Sequence, residues 1–205
     1  MKILLIIGHP KPGSLNHAIA EKTAAVLKEL GHEIVLHDLY HEHFDPVFPA
    51  GEELLPEEKL PMPIKEHLHD FKEADGVVIV HPNWWGGPPA ILRGWVDRVI
   101  RANSCYNFTP DGIVTYVGGK IVQIFSTSNT PREVEMKIYG DPIENFWKTV
   151  VFGVIGSKSF ERRNFESVVI STAEERQRWL DEVEVILKHR FSHRGHTPGG
   201  GSNIQ

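Results

Sequence analysis

The sequence predicts a doubly wound α/β fold, and three observations carry that reading. Residues 2–7 and 76–81 are short, continuous runs rich in Val and Ile, the pattern of strands covered on both faces of a parallel sheet. A third run, over 120–125, is similar. Between these runs lie segments with helical spacing, and the order β, α, β, α implies right-handed crossovers within one sheet.

The elements follow in order. The first strand ends at Gly8-His9-Pro10, and Leu15, Ile19, Thr23, Val26, Leu27 and Leu30 then recur at three- and four-residue steps. Gly31 provides a left-handed stop for that helix. A second strand is expected over 33–38. Residues 45–63 carry five prolines and are read as a surface excursion. Ile64, Leu68 and Phe71 mark a helix before the third strand. The helix opening at Pro88-Pro89 has the clearest stripe, formed by Ile91, Leu92, Trp95, Val96, Val99 and Ile100. Beyond the fourth strand, 126–141 reads as polar and irregular, 142–154 as a buried helix, and 157–165 as the region of a fifth strand. Ser171-Thr172 with Glu174-Glu175 offers overlapping capping boxes for a last helix, from Thr172 to about Arg190.

A chain of 205 residues with 40% hydrophobic residues can bury one sizeable core, so a single domain is expected over 1–190, followed by a polar, Gly-rich tail over 191–205 that is mobile unless a partner holds it. The net charge of -5 offers no field to attract a polyanion, so a small-molecule partner is expected and nucleic acid is not. Cys105 is the one cysteine, which excludes an internal disulfide or a thiolate cluster and points to the cytoplasm. The apolar run 3–7 is far too short to span a bilayer and lacks a cleavage site.

The unusual residues follow the ends of predicted strands one, three and four, where open α/β sheets bind ligands. Residues 8–16 form a turn-rich loop running into a helix start, whose free N–H groups, with Ser14, Asn16 and His9, would bind an anion. The segment lacks both the spaced-glycine dinucleotide fingerprint and the Walker lysine, and the simpler alternative is that Ser14 only caps the helix. In residues 81–88 the adjacent Trp84 and Trp85 cannot both face one interior. One of them borders a planar ligand, with Gly86-Gly87 letting backbone N–H groups approach its polar edge, or the pair plugs a sheet edge or a subunit interface.

Pro82-Asn83-Trp84-Trp85, followed by Pro88-Pro89-Ala90-Ile91-Leu92-Arg93-Gly94-Trp95-Val96-Asp97-Arg98-Val99, closely resembles the signature of NAD(P)H:quinone oxidoreductases with the flavodoxin-like fold. Gly8-His9-Pro10 with Ser14-Leu15-Asn16 is similar to that family's flavin phosphate loop, and Phe44-Asp45-Pro46 extends the likeness. The resemblance implies a five-stranded parallel sheet of order 2-1-3-4-5, tightly bound FMN or FAD, NAD(P)H as co-substrate, a quinone-like acceptor and a homodimer. It also implies that His9, Ser14, Leu15 and Asn16 hold the flavin phosphate, that Pro82, Asn83, Trp84, Trp85 and Gly86 border the isoalloxazine, and that Ser126, Thr127, Ser128 and Asn129 contact its other edge.

The sequence also departs from that pattern. The larger animal enzymes place a Tyr and a His over the flavin, whereas here Tyr139 stands in the histidine's place and Glu133 near the tyrosine's. Tyr139 is a candidate hydrogen-bond donor or a packing residue. The resemblance extends to flavoprotein ancillary subunits of potassium-efflux systems, which gives a second reading as the regulator of a transporter. The segment 89–101 and the stretch 106–116 are the candidate dimer surfaces. No metal site is expected: His67 and His69 diverge on a helix, and His41, Glu42 and His43 read as solvated surface. Cys105 reads as packing.

Overall fold

Along the first strand Ile3, Leu5 and Ile7 face one side of a sheet and Leu4 and Ile6 the other, and all five are buried, as a central strand requires. The computed structural model describes residues 1–192. The tail expected over 191–205 therefore lies almost wholly outside the described residues.

The elements are β1 (Lys2–Ile7), α1 (Leu15–Glu29), β2 (Glu33–Asp38), α2 (Met62–Glu73), β3 (Gly76–Pro82), α3 (Ala90–Val99), β4 (Tyr106–Thr109), β5 (Gly112–Thr115), β6 (Ile121–Thr127), α4 (Arg132–Lys137), α5 (Pro142–Glu144), α6 (Phe152–Val154), β7 (Ser159–Phe165) and α7 (Ala173–Phe191). The main sheet runs β2-β1-β3-β6-β7, all parallel, which is the predicted 2-1-3-4-5 order once the inserted β4–β5 hairpin is counted. Helices α1 and α7 cover one face through Ile19, Val26, Leu27, Val183, Leu187 and Phe191. The other face is covered by α2, α3 and the 142–154 segment through Leu68, Phe71, Trp95, Val99 and Trp147.

Local chemistry sets the boundaries. Gly31 sits at φ 80 and ends α1, as its position predicts. Thr172 and Glu175 form a reciprocal capping box, each side chain bonding the other's backbone N–H, which fixes the start of α7. No helix among the described residues is long and apolar enough to cross a membrane.

Three expectations need correction. The 126–141 stretch is not wholly irregular: β6 continues through Thr127, and Arg132–Lys137 forms the short helix α4. The helix over 142–154 is present, but it is buried on one face only, with Val150 and Val154 exposed, and its middle, Asn145–Val151, is π-helical. The proline-rich excursion is not loose surface chain either. Two short 3-10 turns, Glu52–Leu54 and Glu57–Lys59, hold it against α3. Arg98 donates to both carboxylate oxygens of the buried Glu52 at 2.8 and 2.6 Å, and Arg101 donates to the Glu52 and Leu55 carbonyls. The packing is so close that a Cβ on Gly94 would lie 2.3 Å from the Pro46 carbonyl oxygen, which makes glycine obligatory there.

Candidate functional site

The C-terminal ends of β1, β3 and β6 open into one cleft of about 400 Å³ lined by His9, Lys11, Gly13, Ser14, Leu15, Asn16, Pro82, Asn83, Trp84, Thr127, Ser128 and Asn129, with Val168, Val169 and Arg176 across from them. One end is built for an anion. Ser14 caps α1, its Oγ accepting the His17 N–H and its carbonyl the Ala18 N–H, so the Leu15 and Asn16 N–H groups have no intrahelical acceptor. His9 Nδ1 accepts the Lys11 N–H, which puts the ring proton of the neutral imidazole on Nε2, and burial pushes the His9 pKa down. Lys11 and Arg176 add two cationic side chains to the lining.

The Asn16 side chain donates one of its two amide N–H groups to Thr127 Oγ1 at 3.0 Å, which leaves the other and the backbone N–H for a ligand. This bond ties α1 to β6 across the cleft floor. Ser128 is also an internal anchor: its N–H donates to Phe165 and its carbonyl accepts from Val168. Asn129 Oδ1 accepts the Val169 N–H, which holds the far wall against the β6 loop.

The other end is aromatic. Trp84 and Gly87 exchange backbone hydrogen bonds of 3.0 and 3.1 Å around a two-residue turn, with Trp85 at φ 56 and Gly86 at φ 72. Trp84 lines the cleft and is 42% exposed. The turn is held from below. Asn83 donates its N–H to Thr127 O at 2.7 Å, accepts the Gly86 N–H on Oδ1 and donates from Nδ2 to both oxygens of Glu135 at 3.2 Å. Glu135 is 3% exposed, and burial, reinforced by the charge of Asp141, raises its pKa. One residue earlier, His81 is buried with its pKa lowered by desolvation to about 4. Its neutral ring donates from Nδ1 to Pro82 O and accepts from Trp147 Nε1, so it fixes the end of β3 and carries no charge.

Five sequence-predicted residues do not join the cleft lining. Ser126 is fully buried beneath it, bonded to Asn164 and Arg162, because it points to the opposite side of β6 from Thr127. Trp85 projects from the turn tip, fully exposed and away from the cleft. Gly86 and Gly87 do not offer their N–H groups to a ligand, since Asn83 and Trp84 accept them. Tyr139 is 57% exposed beyond α4 and outside the cleft. Conversely, Val168, Val169 and Arg176 line it unannounced by any local motif, and Lys11 of the 8–16 loop joins them though it was not singled out there.

Residues 1–187 match the family model described as flavodoxin-like fold. An NAD(P)H oxidoreductase of Haemophilus influenzae, itself uncharacterized, is 34% identical over 144 residues, 67% of this chain and 70% of that protein. This chain belongs to the flavodoxin-like NAD(P)H oxidoreductases. Rat NAD(P)H dehydrogenase [quinone] 1 is 30% identical over 126 residues, which make up 52% of this chain and 46% of that enzyme, so the match spans about half of it. Among solved structures, Smu.1420 of Streptococcus mutans superposes with a TM-score of 0.82 at 30% identity, covering 92% of this chain and 100% of its own.

The cleft of this flavodoxin-like protein fits the flavin that its family implies. Free helix N–H groups with Ser14, Lys11 and Arg176 suit a phosphate at one end, and the Trp84 face suits a planar ring at the other.

A second polar cluster lies apart from the cleft, beside a cavity of about 660 Å³. His37, Glu42 and His67 place three ligand atoms within 4.8 Å of one another, although the sequence reading set metal binding aside. The hydrogen bonds disfavour a metal. Trp95 Nε1 donates to His67 Nδ1 at 3.2 Å, so the neutral ring carries its proton on Nε2, the atom that would have to ligate. That proton instead faces Glu42 Oε2 at 3.3 Å. His37 meets carboxylates at both nitrogens, Glu42 at 3.0 Å and Asp70 at 3.1 Å, which suits an imidazolium.

Burial alone would raise the Glu42 carboxyl, but its bonds to His37 and His67 outweigh this and hold its pKa at about 2. Burial alone would lower His37, but Glu42 and Asp70 carry it above 6.5. The Glu42 contribution to stability is therefore complete above its ordinary 4.5 and lost as the pH falls toward 2. That of His37 is complete below 6.5 and lost as the pH rises through its raised folded value. We expect the stability gap between the protein and a His37→Leu/Glu42→Leu variant, read from urea unfolding, to be widest between pH 4.5 and 6.5 and to narrow on both sides. A gap constant from pH 3 to pH 9 would contradict these ion pairs. Cys105 is buried with its thiol pushed up to about 11, consistent with packing.

Proposed function

We propose that the chain binds a flavin, FMN or FAD, in the β1–β3–β6 cleft and works as an NAD(P)H:quinone oxidoreductase. The observation that carries this is the joining, in one cleft, of a helix N-terminus with cationic side chains and an exposed tryptophan face, at the strand ends beside the β1–β3 switch point of the sheet. The bound flavin would supply the hydride chemistry. The chain's own residues bind and orient. The Leu15 and Asn16 N–H groups, Ser14 and His9 hold the phosphate, with Lys11 and Arg176 offsetting its charge. Pro82, Asn83 and Trp84 frame the ring on one side, with Thr127, Ser128 and Asn129 on the other. Asn83 is kept in register by Glu135. NAD(P)H and a quinone-like acceptor use the same open side in turn. Tyr139 is exposed and is not among the residues lining the cleft, so no proton transfer is assigned to it. The transporter-regulator reading has no feature of the structure in its favour.

Protein purified from cells should be yellow and should oxidise NADH or NADPH with quinones. Protein that is colourless and takes up neither FMN nor FAD would overturn the proposal. The single cysteine, free and buried, fits a cytoplasmic enzyme.

We also place a homodimer interface on the apolar concavity of about 580 Å³ between α3, the β4–β5 hairpin and the 142–154 segment, where Phe48, Phe108, Ile113 and Val150 are exposed together. Phe108 and Ile113 are cross-strand partners, so one face of the hairpin presents both. Replacing both with Asp should weaken self-association by about 2 kcal/mol or more, roughly thirtyfold in Kd, as read by sedimentation equilibrium. Unchanged association would move the interface elsewhere.

A further inference from the structure

Ser14, His17 and Asp38 form a hydrogen-bonded line at the anion end of the cleft. Ser14 Oγ lies 2.9 Å from His17 Nδ1, and His17 Nε2 lies 3.2 Å from Asp38 Oδ2. The other Asp38 oxygen accepts the N–H groups of Tyr40 and His41, each at 3.2 Å, so this carboxylate is fixed in place by the chain after β2. A carboxylate only accepts, so His17 Nε2 carries a proton.

The state of Nδ1 then decides what Ser14 shows to a ligand. A hydroxyl has one proton and two lone pairs, and one lone pair already accepts the His17 N–H. With His17 neutral, Nδ1 takes the hydroxyl proton, and a lone pair is left facing the cleft, where it repels phosphate oxygen. With His17 as an imidazolium, Nδ1–H fills the second lone pair, and the hydroxyl proton is free to donate to the ligand. Binding an anion at Ser14 and protonating His17 therefore favour each other.

We infer that His17 is a positioning residue for the phosphate subsite and that phosphate binding takes up one proton on its ring. This rests on the flavin reading of the cleft and goes beyond it by assigning a proton linkage to one side chain. Asp38 from β2 and the incoming phosphate favour the imidazolium. His9, edge-on with its ring 6.1 Å away, and Lys11, both from the β1–α1 loop, oppose it. On α1 itself the next charged group is Glu21, one turn further on and exposed. His37, the neighbour of Asp38 on β2, is engaged instead by Glu42 and Asp70.

The test uses flavin-free protein titrated with FMN, and in parallel with riboflavin, which has no phosphate, from about pH 5.5 to 8.5 across the histidine range. Affinity is read by fluorescence quenching, and proton uptake by calorimetry in two buffers of different ionisation enthalpy. The FMN Kd of the wild type should rise by up to about tenfold per pH unit over part of this range, the slope of one linked proton. His17→Phe should bind FMN with only the pH dependence of the phosphate itself, and riboflavin should show no uptake with either protein. Asp38→Asn should move the linkage to lower pH. A His17→Phe profile and proton uptake matching wild type would overturn the inference while leaving flavin binding intact. Binding of neither FMN nor riboflavin at any pH would sink the flavin reading and the inference with it. If His17→Phe does not fold, the His17 ring signal in wild type decides by NMR: its titration midpoint must rise on adding FMN, and an unmoved midpoint overturns the proposal.

Discussion

Arg98→Met is expected to cost about 3–5 kcal/mol of folding stability, because it strips the partner from a carboxylate that has no access to water. Glu52 is 3% exposed and receives two parallel N–H donors from Arg98, at 2.8 and 2.6 Å. The same guanidinium donates to Asp45 O at 2.6 Å, so its loss also frees the start of the proline-rich excursion from α3. The bond to Glu52 is the chief reason the Arg98 pKa is raised. A buried pair differs from its parts: removing both partners leaves no orphan charge. The double variant Arg98→Met/Glu52→Leu should therefore recover most of the loss. Urea unfolding of the two variants beside the parent protein decides the matter. A loss below about 1 kcal/mol for Arg98→Met alone would mean that the pair behaves as a solvent-screened surface bridge.

Legibility in the sequence followed physical locality. The central strands were readable because β1 and β3 are buried on both faces and so appear as unbroken apolar runs. The capping box of Thr172 and Glu175 was readable because both halves lie within four residues. The stretch 106–116 reads as a candidate dimer surface without strands of its own, although Pro110-Asp111-Gly112 after Tyr106–Thr109 carries the turn signal of the β4–β5 hairpin. Helix α4 escaped because Arg132–Lys137 is too short for a 3.6-residue pattern to register. The π-helical winding over Asn145–Val151 has no sequence rule to announce it.

The site divided in the same way. Ser14, Asn16, Asn83, Trp84 and Thr127 sit on short loops beside readable strand ends, and the structure brings them together. Ser126 was misplaced by one residue of strand alternation, and the Asn16–Thr127 bond now shows which parity faces the cleft. Trp85 and Gly86 were misplaced because the tightness of the turn, not its composition, sends the second tryptophan outward. Arg176 in the lining and Asp38 behind His17 were out of reach, since their places depend on packing α7 against α1 and β2 beside β1, a tertiary fact.

Ser14→Asp is expected to separate the fold from the phosphate site more sharply than any other single change. Aspartate caps a helix as well as serine does, and a carboxylate at an N-terminus complements the helix dipole, so α1 and the thermal stability should persist. Yet the new charge would stand at the phosphate end of the cleft, at the Oγ position that now accepts the His17 N–H at the start of the helix whose Leu15 and Asn16 N–H groups are free. Like charges set against each other at a binding surface cost several kcal/mol, so the affinity for FMN and FAD should fall on the order of a hundredfold or more. Riboflavin, lacking the phosphate, should bind the variant about as well as it binds the wild type. Equilibrium titration with the three flavins reads the difference directly. If FMN binds Ser14→Asp as tightly as it binds the parent protein, the phosphate does not lie at the start of α1, and the orientation assigned to the ring must be reversed.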